Sequence, residues 1–204
     1  MLYKDINHTI NSRLIEQITT KRKALLKPLI NYIQSKKDRQ QPVRLNFICT
    51  HNSRRSHLAQ TWAQSAAHHY GIENVSCYSG GTEATALFPL VIKTLQAAGF
   101  KIHPLSKSKN GVSAIKFSEN EHPVIGFSKR FDHAFNPKNG FAAITTCSQA
   151  DEACPYIPGA EKRIPLPYKD PKIYDGTPQQ ARKYEERSLQ IAEEMIYVFS
   201  KITL

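Results

Sequence analysis

Apolar positions follow two rhythms along this chain. Leu14, Ile15, Ile18, Leu25, Leu26, Leu29, Ile30 and Ile33 recur at three- and four-residue steps. That spacing predicts one stripe of an amphipathic helix, bent at Pro28. Leu45-Asn46-Phe47-Ile48 is instead a short apolar run ending at Cys49, a predicted strand. THNSRRS follows it, and then a helical segment with Leu58, Trp62 and Ala66 on one face and Gly71 as its stop. Val75–Ser79 predicts a second strand ending at Gly80-Gly81, and a second helix runs near Leu87–Ala98 up to Gly99. Phe141–Thr146 predicts a third strand running into Cys147, and Arg163–Leu166 a fourth. Gln179–Lys201 is a long final helix. Strands alternating with helices predict an α/β fold, a doubly wound sheet of about four parallel strands with helices on both faces. Ala114–Ser118, ENEHP and Val124–Ser128 break the alternation and read as an inserted β-hairpin within about 113–129. The expected organisation is an N-terminal helical extension and linker over 1–42 (SKKDRQQP, 35–42, as the linker) and a main domain over 43–204.

Charge adds to this picture at the N-terminus. The 204 residues carry 28 Lys+Arg against 17 Asp+Glu, a net +11. Residues 1–44 hold ten basic against three acidic side chains, or +7 of that total. The plain reading is an extension lying on the main domain with its basic face in water. An acidic partner, anionic lipid or nucleic acid are the alternatives. No aromatic-basic platform or zinc-finger spacing supports nucleic-acid binding. No stretch approaches the roughly 18 consecutive apolar residues of a membrane span, and MLYKDINHTINSR lacks the pattern of a secretory signal. A cytoplasmic protein without membrane insertion is expected. Four cysteines are too few for a disulfide scaffold, so they read as core residues, metal ligands or reactive thiols.

Cys49 ends a strand where doubly wound folds bind ligands, between strand and helix. Cys49-Thr50-His51-Asn52-Ser53-Arg54-Arg55-Ser56 is a cysteine, five residues, an arginine and a serine. Residues 50–56 form an expected oxyanion-binding loop, whose amides can surround a tetrahedral anion with help from the helix dipole. The same features favour a Cys49 thiolate, hence a nucleophile. Arg55 is spaced to fork across two oxygens, Arg54 would point elsewhere, and Ser56 can donate to the sulfur. A structural cysteine with two solvated arginines is the competing reading. Cys77 reads as a core strand residue.

The run Phe47-Ile48-Cys49-Thr50-His51-Asn52-Ser53, with Arg55-Ser56, resembles the loop shared by low-molecular-weight protein tyrosine phosphatases and thioredoxin-coupled arsenate reductases. The resemblance continues through Tyr78–Glu83, Ala97–Phe100, Thr146-Cys147-Ser148, Cys154-Pro155 and Asp170-Pro171, covering about 43–200. It implies a flavodoxin-like sheet and an arsenate or phosphate substrate. His51 stands in place of a usual glycine, and Arg54 in place of a frequent cysteine. Gln60 replaces a glutamate that some reductases associate with potassium, so no metal is carried over. Asp170, in a loop beyond the fourth strand, is the expected proton donor to the leaving oxygen; Asp175 is the weaker candidate.

Phosphatase and reductase chemistry begin alike and differ in their source of electrons. Cys147 and Cys154 supply a spare thiol pair. On the reductase model, Cys49 attacks arsenate, Cys147 attacks the adduct, and Cys154 takes over the disulfide for delivery to thioredoxin, with no bound cofactor. A phosphatase working through phosphocysteine is the alternative. Two unrelated cysteines or a zinc site are competing readings of the pair, but six intervening residues is not a knuckle spacing and nearby Cys or His complete no tetrahedron. Were 148–154 helical, about 1.5 Å per residue would separate Cys147 and Cys154 by roughly 10 Å. A disulfide spans at most about 7 Å, so that segment must loop or unwind on oxidation.

Overall fold

The computed structural model describes residues 1–12, 18–153 and 156–204. Leu14 and Ile15 of the N-terminal stripe, and Cys154 and Pro155, lie outside the described residues. Strands β1 (Val43–Cys49), β2 (Val75–Gly81), β6 (Phe141–Thr145) and β7 (Ala160–Pro165) form a parallel sheet in the order β2-β1-β6-β7. Between them run α3 (Arg55–His69), α4 (Pro89–Ala97) and α5 (Ser148–Ala153), and α6 (Gln180–Ser200) closes the chain. The predicted alternation is therefore the observed one. Helices cover both faces, unequally. Leu45, Phe47, Ala142 and Ile144 face a large core with Trp62, Tyr184, Met195 and Phe199. Ile48, Phe141 and Ala143 turn the other way, under Ala150 of short α5 and Ile157.

The predicted hairpin is β4 (Ser113–Lys116) with β5 (Val124–Gly126), antiparallel. The sequence did not mark its third partner, β3 (Lys101–Pro104), whose residues are mostly exposed.

The extension begins with α1 (Lys4–Ser12), which the stripe also missed and which buries Ile6 and Ile10. Helix α2 (Thr20–Asp38) starts from Thr19, whose hydroxyl accepts from the Arg22 amide, a standard N-cap. It runs through Asp38, so half of the expected linker is helix. Leu26, Leu29 and Ile33 are fully buried, each such side chain contributing about 1.5–3 kcal/mol. No helix among the described residues is long and apolar enough to cross a membrane.

Parallel pairing fixes what matters for chemistry. Cys49, Gly81, Cys147 and the 166–170 loop all emerge from the same edge of one sheet.

Candidate active site

Cys49 is buried, and its sulfur lies 3.1 Å from Ser56 Oγ. Asn52 adopts a left-handed conformation (φ 44°), which asparagine tolerates better than most residues. It wraps the chain around the sulfur and sends its own Nδ2–H to Ser56 Oγ at 2.9 Å.

The loop carbonyls are tied down from behind. Thr50 O accepts from the Glu83 amide and the Thr82 hydroxyl, and His51 O from the hydroxyls of Ser128 and Thr85. Asn52 O faces His57 Nε2 at 2.9 Å, and Ser53 O accepts from the Phe88 amide. Among the described residues, none of the amides of His51–Arg54 donates to a protein acceptor. Peptide groups with engaged carbonyls and unengaged amides form a nest for an anion.

His57 holds this arrangement, and sequence reading did not single it out. Burial pushes its pKa down to about 3, so the ring is neutral at ordinary pH. Since Asn52 O can only accept, Nε2 carries the proton and Nδ1 faces the Ser79 hydroxyl at 3.3 Å. The only signal for this role was its position directly after Ser56. The insertion contributes too. The Lys129 amide donates to Asn52 Oδ1 at 2.9 Å, and the Gly81 amide to Lys129 O.

Arg55 is buried and points into a cleft of about 610 Å³ that it shares with His51, Cys147, Gln149, Lys169 and Asp170. Its Nη1 donates to Tyr168 O at 3.0 Å and its Nη2 to Asp170 Oδ2 at 2.5 Å. Nε is buried without a protein acceptor, a donor that an oxyanion on the loop would satisfy. Arg54 belongs to the oxyanion loop by its backbone alone. Its side chain is turned away, donating to Tyr184 and Asp175 at 2.5 and 2.7 Å and stacking on Phe88. Asp175 is thereby occupied outside the cleft, which leaves Asp170 as the carboxyl beside Arg55. His51 reaches the rim, 3.6 Å from Glu83. Cys77 is buried in the core, and desolvation raises its thiol pKa far above the ordinary range.

Cys147 is buried where β6 ends. Its sulfur lies 3.4 Å from Thr50 Oγ1 and 3.4 Å from the Ala150 amide. No three His, Cys, Asp or Glu side chains among the described residues group as a metal site.

Residues 44–120 match the model of the low molecular weight phosphotyrosine protein phosphatase family. An arsenate reductase of Bacillus licheniformis is 32% identical over 142 residues, spanning 69% of this chain and 83% of the relative. The chain belongs to this family. An arsenate reductase of Bacillus subtilis is 28% identical over 141 residues, with the same coverages. Among solved structures, a low molecular weight protein tyrosine phosphatase from T. tengcongensis superposes with a TM-score of 0.55 at 15% identity. It covers 78% of this chain and 99% of its own. An arsenate reductase from Archaeoglobus fulgidus gives 0.50 at 16% identity, covering 76% and 98%. Those two likenesses speak to the fold. The extension, with α1 and α2, lies outside the stretch that the family model matches.

Proposed function

We propose that this chain reduces arsenate to arsenite. Cys49 thiolate attacks arsenic(V), forming a sulfur–arsenic bond while Asp170 gives its proton to a departing oxygen, which leaves as water. Arg55 and the loop amides hold the remaining oxygens. Cys147 thiolate then attacks the Cys49 sulfur. The sulfur–arsenic bond breaks, its electron pair stays on arsenic, and arsenite leaves behind a Cys49–Cys147 disulfide. Cys154 displaces Cys49, and a dithiol protein of the thioredoxin type reduces the resulting Cys147–Cys154 bond.

The observation that carries this reading is the second thiol. Cys147 lines the same cleft as Arg55 and Asp170, and touches Thr50 in the loop. A phosphomonoesterase needs only Cys49, Arg55 and Asp170, and the matched phosphatase model keeps that reading as the second one. The test is arsenate-dependent NADPH oxidation coupled through thioredoxin and its reductase. Cys147→Ser is expected to abolish the signal and leave aryl phosphate hydrolysis intact. Efficient phosphotyrosine turnover with no arsenate reduction would give the phosphatase reading the field.

A further inference from the structure

Arg22 is one of nine basic residues in the N-terminal extension, yet its guanidinium is turned onto the main domain. Its Nε and Nη2 donate to Glu194 of α6 at 2.7 and 2.8 Å, and its Nη1 to Pro167 O at 3.0 Å. The guanidinium also stacks on the Tyr168 ring, 4.6 Å from its centroid. Glu194 is almost fully buried and accepts a third bond, from the Tyr168 hydroxyl at 2.7 Å. The same Tyr168 offers its backbone carbonyl to Arg55, two residues before Asp170. Its own amide is fixed to Thr146 O, beside Cys147.

We propose that α2 is a positioning element for the active site. Arg22, acting through Glu194 and Tyr168, fixes the 166–170 loop so that the Asp170 carboxyl is held at the cleft. This rests on the reading of Asp170 as proton donor. Several features favour positioning over a surface ion pair. The pair is bidentate and buried on the Glu194 side, and its third partner belongs to the catalytic loop. The chain beyond the loop is pinned separately, where Asp175, after the 3-10 turn Pro171–Tyr174, meets Arg54 and Tyr184. Between those two anchors lies Asp170, whose Oδ1 accepts from the Lys172 amide. Small displacements of a proton donor are costly to turnover, so a brace behind the loop acts on rate rather than on anion capture.

The test compares the full chain with Tyr168→Phe and with the paired variant Arg22→Met/Glu194→Gln, which removes both charges of the ion pair together. Both are measured on the oxyanion substrate that the wild type turns over. Each is expected to lower kcat by about tenfold or more with KM within about twofold. Lys36→Met cuts the 2.7 Å ion pair to Glu161 near the other end of the same helix and is expected to leave kcat unchanged. Combining Tyr168→Phe with Asp170→Asn is expected to give no loss beyond that of Asp170→Asn, since both act through one carboxyl. Unchanged kcat in both brace variants, or losses that multiply with Asp170→Asn, would overturn the brace. If Asp170→Asn by itself keeps full kcat, the proton-donor assignment fails instead.

Discussion

Asp170 Oδ2 lies 2.5 Å from Arg55 Nη2, so the carboxyl assigned to proton delivery and the guanidinium assigned to anion binding are partners in the free protein. An incoming oxyanion must share that guanidinium with a group of its own charge sign. Capture and turnover are thereby set against each other at one side chain.

Asp170→Asn should separate the two. Loss of the competing carboxylate is expected to tighten phosphate or arsenate binding by about three- to tenfold, the scale of about 1 kcal/mol for a partly exposed pair. Turnover should fall by about 10²–10⁴-fold, the usual contribution of a positioned acid. Calorimetric titration and steady-state rates on the same preparation measure both. Weaker binding in the variant would contradict the competition.

Oxidation should dismantle α5. In the reduced protein the Asp151 amide donates to Cys147 O, and the Asp151 carboxylate is held by Thr145 and Arg163. A helix carried on to residue 154 cannot satisfy the roughly 7 Å reach of a disulfide. After oxidation to a mass-verified Cys147–Cys154 bond, the Ala150 and Asp151 amides should exchange about tenfold faster or more. Unchanged protection would mean that the bond forms without unwinding.

Lys129 should make the fold pH-sensitive. Its ammonium is buried over Phe127 and Phe135, and desolvation lowers its pKa from 10.5 to about 7. Between about 7 and 10.5 the unfolded chain holds this proton and the folded chain does not, so stability rises with pH across that window. Lys129→Met is expected to flatten that rise. It should also raise the thermal midpoint at pH 7 by at least about 2–4 °C, the equivalent of about 1 kcal/mol in a chain of this size. Scanning calorimetry at pH 7 and pH 9 on both proteins would decide it.

Gly81→Ala should spoil the anion nest from outside. A Cβ there would lie 2.7 Å from both Asn52 N and Thr50 O, and closer still to Glu83 O. Backbone cannot yield as a flexible side chain can, so the loop must shift, at about 1–3 kcal/mol for an overpacked site. Phosphate affinity should drop by about tenfold, since 1.4 kcal/mol is tenfold in binding. Wild-type affinity with wild-type stability would show that the loop does not depend on this close approach.

The parallel sheet, the hairpin and the Cys49–Arg55 spacing were legible because each is written locally: in a run of apolar residues, a polar turn, or a count of five. β3 was not, because Lys101-Ile102-His103-Pro104 is four residues with one strand-forming side chain and a proline, too short to show a period, and its pairing with β4 is what makes it a strand. The partners of Arg54 lie 121 and 130 residues away, a distance that no local pattern encodes. Arg22 looked like its neighbours Lys21 and Lys23 for the same reason. His57 was hidden by ordinary composition: a histidine on a buried helix face has the same letter whether it fills space or clamps a loop.

The four tethered carbonyls of the cysteine loop have one last consequence. A receptor whose walls are bolted in place during folding cannot tighten around the smaller of two near-isosteric guests. Choice between phosphate and arsenate then falls to events after docking, to whether a neighbouring sulfur can drain the captured atom's bond faster than water can cleave it.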